Sequence, residues 1–261
     1  MIQYIADAFT SELFSGNPAA VLPCRKMPAS EMMQSIAMEN NCSETAFVVK
    51  KGEGKYDLRW FTPGGEVSLC GHATMATAFI LDRYVDKGVG KMVFSTLSGD
   101  LIVSKAGNGY EMDFPEGSLK PFPLSEAILK ATGGLAKEAY YDGGDMVTVL
   151  ESEDDLISFV PDFSLMKKVE GRGLVMTAPS EKYDFVSRCF YPKLEVPEDP
   201  VTGSAHTFLA PLWAARLGKN EFLARQVSRR GGDLGVRLSS GRVFIRGEAV
   251  LYMKGEIPFD F

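Results

Sequence analysis

The chain of 261 residues carries a net charge of −6, and 45% of its residues are hydrophobic while 24% are charged. This composition is typical of a globular protein with enough apolar residues for one large domain or two smaller ones. The acidic balance argues against nucleic acid or an anionic membrane as a partner, and no apolar run is long enough to span a membrane. The N-terminal residues lack the basic and apolar regions of a signal peptide, so the sequence predicts a cytoplasmic protein.

The first part of the chain contains strand-like runs and two helical ones. β-rich runs occur at 2–8, 45–50, 55–61, 91–96, 100–105 and 109–114. An amphipathic helix is predicted over residues 28–41, with Ser30 as its N-cap. Residues 72–81 are apolar around the whole helical circumference, which is typical of a helix buried on every side.

The second part of the chain has the same mixture. A helix is predicted over residues 123–132, and strand-like runs follow at 146–151, 173–178, 183–191, 222–228, 234–239 and 242–254. Residues 204–215 form a second apolar run that predicts another fully buried helix. Pro211 lies inside this run and is expected to kink or end the helix.

An internal duplication is visible in the sequence. Both halves contain Lys-Tyr-Asp, and Arg59, Phe61, Pro63, Glu66 and Val67 recur as Arg188, Phe190, Pro192, Glu195 and Val196 at an offset of 129. Gly71 and Ala73 recur as Gly203 and Ala205 at an offset of 132. The matches predict two similar domains, 1–115 and 116–261, with the C-terminal strand able to return to the first. Each would be a mostly antiparallel, barrel-like sheet around one buried helix, which is an α+β fold.

Each buried helix begins at a short Gly motif. Gly71 stands in the first motif, and Gly203 and Ser204 stand in the second. Helix N-termini offer free N–H groups to anions, and small residues let a ligand approach the backbone closely. Two such motifs facing a cleft between the domains would suit a small carboxylated substrate. The alternative is that the glycines only form tight turns between strand and helix.

Three side chains near these motifs are candidate catalytic residues. Glu44 begins an apolar strand, where a carboxylate can serve as acid or base, although an exposed glutamate at a strand end fits the pattern too. His72 could donate to a substrate or move a proton, or could be a capping or core histidine. Asp199 precedes the second motif and could orient a substrate or simply belong to an Asp-Pro turn. His206 is placed farther into its helix, where a structural role is favoured.

Other classes of site are less well supported. The four cysteines form no CxxC pair, and the two histidines stand in separate halves, so neither disulfides nor a metal site is predicted. A racemase with two thiols would use Cys70, but Thr202 occupies the corresponding position in the second half. A protein that binds a metabolite without turnover would keep the Gly motifs without needing Glu44.

Four segments of the chain resemble the PhzF family of phenazine-biosynthesis-like proteins. They are "DAFTSELFSGNPAAVL" at 7–22, "ENNCSETAFV" at 39–48, "RWFTPGGEVSLCGHATMATAF" at 59–79 and "EDPVTGSAHTFLAPLW" at 198–213. The resemblance implies a fold similar to that of diaminopimelate epimerase, with two like domains.

The resemblance also implies an activity. It implies a cofactor-free isomerase that moves a proton on a small, carboxylated amino or cyclic metabolite. Members of the family are commonly homodimers. The acid/base glutamate of the family falls on Glu44, and its histidine, aspartate and serine fall on His72, Asp199 and Ser204. The substrate is not implied, because many members act on unknown compounds.

Overall fold

The computed structural model describes residues 1–258 of the chain. It divides into two compact units, one of Met1–Phe114 with the segment from Phe244 onward, and one of Pro115–Val243. The sequence predicts a division between residues 115 and 116. It assigns the C-terminal segment to the second domain and leaves open that the C-terminal strand returns to the first. In the structure that segment belongs to the first unit.

The elements before residue 116 begin and end as follows. They are β1 (Ile2–Ala8), β2 (Asn17–Cys24), α1 (Ser30–Asn40), β3 (Glu44–Gly52), β4 (Lys55–Thr62), β5 (Gly65–Val67), α2 (Gly71–Ile80), β6 (Lys91–Thr96), β7 (Gly99–Ala106) and β8 (Gly109–Pro115). A single π-helical turn, Leu81–Val85, continues α2.

The elements after residue 116 include four helices. They are β9 (Lys120–Phe122), α3 (Glu126–Ala131), β10 (Glu138–Tyr141), β11 (Asp145–Val149), α4 (Glu153–Ser158), α5 (Phe163–Met166), β12 (Gly173–Pro179), β13 (Phe185–Tyr191), β14 (Val196–Asp199), α6 (His206–Leu217), β15 (Glu221–Gln226), β16 (Gly232–Ser239), β17 (Arg242–Gly247) and β18 (Ala249–Glu256). None of the helices within residues 1–258 has the length and apolar composition that crossing a membrane requires.

In the first unit a mixed sheet surrounds α2. Strand β1 pairs antiparallel with both β18 and β2, β2 runs parallel to β3, and β3 is antiparallel to β4. Strand β4 pairs with β5 and runs parallel to β6, after which β7 and β8 follow antiparallel. All ten residues of α2 are buried, and the helix lies against β1, β2, β3 and β18. The fully apolar run predicted this burial.

The second unit repeats the same pairings strand for strand. Strands β10 to β16 pair in the same order and direction as β1 to β7, including the two parallel pairs. The short strand β9 pairs antiparallel with β10, as β18 does with β1. Helix α6 follows β14 as α2 follows β5, and its Trp213 ring stacks on Phe185 of β13 with 5.5 Å between centroids. The duplication seen in the sequence is therefore present in the topology.

The sequence alignment of the halves is wrong by three residues at one point. Arg59 forms a two-pronged ion pair with Glu66, and Arg188 forms the same pair with Glu198 rather than with Glu195. The offset therefore changes from 129 to 132 before Glu66, because the second unit inserts a 3₁₀ turn, Pro192–Leu194. In this register Asp199 takes the position of Val67 in the first unit.

Two predictions about helix ends are corrected by the structure. Helix α1 has Ala29 as its N-cap and makes no side-chain capping bond, while the Ser30 hydroxyl accepts a hydrogen bond from Arg59 Nη2. His206 is the first residue of α6 and does not lie farther inside it.

Pro211 does not end α6, which continues to Leu217. A proline removes one backbone donor, so the carbonyl four residues earlier loses its helical partner. That carbonyl belongs to Thr207, and it accepts a hydrogen bond from the Gly117 N–H at 3.1 Å. The helix tolerates its proline because another segment satisfies the freed acceptor.

Candidate active site

Glu44 and His72 meet at one end of the first unit. Glu44 is the first residue of β3, and His72 is the second residue of α2. The Glu44 Oε2 atom lies 2.9 Å from His72 Nε2, and the two side chains are 17% and 6% exposed. The sheet places the carboxylate at the strand end, and the buried helix places the imidazole beside it.

The second ring nitrogen of His72 also has neighbours. The Asn17 amide nitrogen lies 3.1 Å from His72 Nδ1, and the Cys70 sulfur lies 3.6 Å from the same atom. Asn17 is the first residue of β2 and is completely buried. Because β2 and β3 are parallel neighbours, Asn17 and Glu44 emerge at the same edge of the sheet. Asn17 was not predicted as a site residue.

The charges around His72 favour its protonated form. Burial opposes a charge on the ring, but the hydrogen bond to the Cys70 sulfur and the nearby Glu44 carboxylate outweigh it and hold the pKa of His72 well above 6.5. Burial raises the pKa of Cys70, and the Glu44 charge raises it further, so the Cys70 thiol is neutral at physiological pH. The Glu44 carboxylate is thus the anion that keeps the proton on His72.

The two facing atoms retain hydrogen-bonding capacity. Glu44 Oε2 and His72 Nε2 are close but poorly aligned, and neither makes a well-formed hydrogen bond within residues 1–258. Buried polar atoms are normally paired, and exceptions are common where a group must act on a substrate. The pair can therefore exchange protons with a third group that approaches both atoms.

One set of side chains could hold a metal ion. Ligand atoms of Glu44, Cys70 and His72 all lie within 4.8 Å of one another. A nitrogen, a sulfur and an oxygen are donors that suit zinc, although structural zinc sites use four protein ligands and catalytic sites three with a water. In this chain the thiol would have to lose its proton, which burial disfavours.

In the second unit, the segment from Asp199 to Ser204 is fixed by one buried side chain. The Gln226 carbonyl oxygen accepts from the Thr202 N–H at 2.8 Å, and its amide nitrogen donates to the Asp199 carbonyl. The Thr202 hydroxyl donates to the Asp199 carboxylate. The turn preceding α6 is therefore rigid, and it carries Gly203 and the half-buried Ser204. Gln226 was missed in the sequence, where it is a polar residue ending a β-rich run.

The predicted site residues thus form two groups, each compact within its own unit. Glu44, Gly71 and His72 belong to the first, while Asp199, Gly203 and Ser204 belong to the second.

The starts of α2 and α6 are built alike. The Thr74 hydroxyl donates to the Cys70 carbonyl in the first unit, and His206 Nδ1 donates to the Thr202 carbonyl in the second. Thr202 therefore stands where Cys70 stands, as the sequence offset indicates. Burial lowers the pKa of His206 to about 4, so this completely buried ring is neutral and helps to close the helix start.

A second thiol lies near the Asp199 segment. The Cys189 sulfur contacts the Gln226 side-chain oxygen at 3.5 Å and is completely buried. Burial raises the pKa of Cys189 well above 9, which leaves the thiol unreactive at neutral pH. Cys189 therefore does not supply the base that a two-thiol mechanism would need in this unit.

Comparisons with known proteins agree with the fold and with the resemblance seen in the sequence. A family model described as phenazine biosynthesis-like protein, PhzC-PhzF, matches residues 6–255. An uncharacterized isomerase from Pseudomonas aeruginosa is 46% identical over 251 residues, with 96% of each chain covered. The crystal structure of a PhzF family protein from Enterococcus faecalis matches with a TM-score of 0.95 at 46% identity, over 99% of both chains.

A more distant structure carries information about the fold alone. A predicted epimerase from Pseudomonas aeruginosa matches with a TM-score of 0.73 at 18% identity, over 99% of both chains. The predicted α+β fold, similar to that of diaminopimelate epimerase, is thereby confirmed. Since the family model spans nearly the whole chain and a relative named an isomerase is close to half identical, this chain belongs to the phenazine biosynthesis-like PhzC-PhzF family.

Proposed function

We propose that the chain is an isomerase which moves a proton on a small carboxylated metabolite, amino or cyclic, by general acid–base catalysis without a cofactor. The observation that carries the proposal is the close, poorly aligned contact between Glu44 and His72 at the start of a buried helix. Relatives named isomerases support the reaction class.

In the proposed reaction Glu44 is the base. Its carboxylate takes a proton from a carbon next to an electron-withdrawing group, and the electrons of the C–H bond move into that group. The Glu44 carboxylic acid then returns the proton to a different carbon, so that a double bond changes position. No electrons are gained or lost overall, and no co-reactant is consumed.

His72 and the helix start would stabilise the charge that develops. A protonated His72 donates a hydrogen bond to the substrate oxygen on which negative charge accumulates. The first N–H groups of α2, beginning at Gly71, favour an anion such as a carboxylate. In the second unit, Asp199 would orient the substrate, and the backbone at Gly203 and Ser204 would bind its carboxylate. Glu44, His72 and Asp199 are therefore the proposed catalytic residues.

Two alternatives are distinct in their chemistry. A metabolite-binding protein without turnover would use the helix starts alone. A thiol-based epimerase would use Cys70, whose raised pKa and threonine counterpart disfavour it. The homodimer, the cytoplasmic location and the absence of a cofactor stay predictions that follow from the resemblance and the composition.

Solvent exchange separates these alternatives. The protein is incubated in D₂O with a panel of small amino acids and cyclic unsaturated acids, and loss of carbon-bound protons is followed by NMR. We expect exchange with at least one compound, and its loss in Glu44→Gln. Compounds that raise the melting temperature without any exchange would instead establish a binding protein.

A further inference from the structure

The environment of His72 Nδ1 contains a feature that the proposed reaction does not use. Asn17 reaches this nitrogen from the start of β2, while Glu44 faces Nε2 on the other side of the ring. Both Asn17 and His72 are buried, so no bulk water competes for Nδ1. The imidazole is therefore held between a carboxylate at one nitrogen and an amide at the other.

A histidine that carries a proton places changing demands on its partners. When the ring is neutral with its proton on Nε2, Nδ1 is an acceptor and needs a donor. When the ring is protonated, Nδ1–H is a donor and needs an acceptor. A backbone N–H or a carbonyl serves one of these states, but a primary amide carries both groups. A half-turn about the Cβ–Cγ bond exchanges its nitrogen and oxygen.

We propose that Asn17 is a positioning residue for His72, whose amide presents its NH₂ group to Nδ1 of the neutral ring and its oxygen to Nδ1–H of the protonated ring. With its nitrogen 3.1 Å from Nδ1, the amide is oriented to serve the neutral ring. The half-turned amide serves the protonated ring, which is the form that the Glu44 carboxylate favours. Asn17 thereby keeps the imidazole in place while its charge changes.

The other groups near His72 do not fulfil this role. Glu44 faces Nε2, and the Cys70 sulfur is 3.6 Å from Nδ1, where a thiol is a weak partner in either direction. Cys42, in the loop before β3, is a further titratable group whose pKa responds to the charge on His72, and burial raises its pKa. Both thiols are neutral at physiological pH, so the amide is the stronger partner of Nδ1.

The backbone around Asn17 is held in place by a tight turn. Gly16 has φ of 65°, and a Cβ there would lie 2.2 Å from the carbonyl oxygen of Ala8. Ala8 pairs with Asn17 across the β1–β2 ladder. The turn and the strand pairing hold the Asn17 backbone in place, so the exchange of its amide nitrogen and oxygen requires only a side-chain rotation.

The inference rests on the role proposed for His72, but its test requires no substrate. The chain has two histidines, so uniform ¹⁵N labelling gives imidazole signals from two side chains together with the asparagine amide signals, and His206 serves as an internal reference. We expect the Asn17 side-chain amide signals in the wild-type protein to titrate with the same midpoint as the His72 ring. An amide that stays unchanged while His72 titrates would overturn the proposal.

Variants of Asn17 supply the second readout. Asn17→Leu removes both partners and should lower the protonation constant of His72 by at least about tenfold, whereas Asn17→Asp should raise it. Asn17→Ser, too short to reach the ring, should behave like Asn17→Leu and replaces it if that variant does not fold. Gln3→Leu is the matched control, because Gln3 is also a buried amide but its hydrogen bond goes to Asn40.

The outcomes distinguish a positioning residue from a structural one. A structural Asn17 would lower the melting temperature when replaced, as Gln3→Leu should, without moving the His72 titration. That result would overturn the proposal whether or not an isomerase substrate is found. Conversely, a shifted titration in a protein that shows no proton exchange would support the role of Asn17 and count against the proposed function alone.

Discussion

The Glu44 carboxylate and the Cys70 thiol are both close enough to His72 to be considered as the base, and their chemistry separates them. Burial keeps the thiol protonated, and its counterpart in the second unit is Thr202. We expect Glu44→Gln to lose about 10²–10⁴-fold in turnover, the usual range for a general acid–base group, while its fold survives. Cys70→Ser should keep most of the activity. Solvent-deuterium exchange measures the rates, with thermal melting as the folding control.

The reverse result would assign the base differently. If Cys70→Ser abolished exchange and Glu44→Gln retained it, the thiol mechanism would replace the carboxylate mechanism.

His206 should make the stability of the protein sensitive to acid. Its pKa is about 4 in the folded chain against 6.5 for an ordinary histidine, because burial disfavours the charged ring. Between these values the unfolded chain binds a proton that the folded chain does not, so the free energy of unfolding falls as the pH drops from about 6.5 towards 4. The loss is on the order of 3 kcal/mol, and nothing is lost above pH 6.5.

The first unit suggests the variant for this test. The Thr74 hydroxyl donates a hydrogen bond to a backbone carbonyl at the start of α2, and the His206 ring does the same at the start of α6. His206→Thr should be less stable than the wild type at pH 7, because a smaller side chain leaves a cavity, but its stability should fall less steeply in acid. Urea denaturation between pH 4.5 and 7.5 compares the two slopes. Parallel slopes would show that His206 is not the group responsible.

Among single residues, sequence reasoning found the groups with a motif and missed those without one. Glu44 and His72 stand in recognisable segments, and the structure brings them together. Asn17 stands in a segment that was recognised, but its contact with His72 depends on how β2 packs against α2. Gln226 reaches Asp199 and Thr202 from a strand far along the chain. Such contacts are set by tertiary packing, which one sequence does not encode in any local pattern.

At the scale of elements, Gly117 supports the helix that contains Pro211. The Gly117 N–H satisfies the Thr207 carbonyl, and a Cβ at position 117 would lie 3.1 Å from the Cβ of Phe208. Gly117→Ala should therefore push the chain away from α6 and lower the free energy of unfolding by about 1–3 kcal/mol. Denaturant unfolding measures the change.

A second glycine provides the control for this prediction. Gly52 has open space around its Cα hydrogens, so Gly52→Ala should change the stability little. Equal effects of the two substitutions would show that loss of glycine flexibility, and not the close approach to α6, determines the result.

Elements with a regular apolar pattern were predicted closely, and the strand over 91–96 agrees with β6 at both ends. Strand β2 was missed, because its Pro18 and Pro23 are residues that strands usually avoid. The run over 242–254 was predicted as one strand and is two, β17 and β18. The alignment error at Glu198 has a similar cause, since an inserted turn leaves no mark in composition.

At the scale of the whole molecule, the metal content is a direct test of the chemistry. Glu44, Cys70 and His72 offer three donors, but the thiol is protonated and Glu44 is required as a base in the proposed reaction. We expect the purified protein to contain no stoichiometric transition metal by elemental analysis. About one tightly held zinc per chain would contradict this and would call for a metal-dependent mechanism.

The hypothesis that both helix starts serve one substrate stays a prediction from the sequence. If it is correct, Ser204→Ala and Asp199→Asn should also slow the reaction that Glu44→Gln slows, although these residues belong to the other unit. Exchange rates and KM values on the same substrate give the answer. Full activity in both variants would restrict the site to the first unit.

The pairing of β18 with β1 has a consequence for the order in which the protein matures. On the ribosome, residues 1–114 emerge first, yet their sheet lacks a strand until residues 249–256 have been translated. The second unit ends at Val243, so it is translated in full before that strand. The unit that carries Glu44 and His72 is thus begun first and finished last, and an interrupted chain lacks one of the strands that pack against the helix of His72.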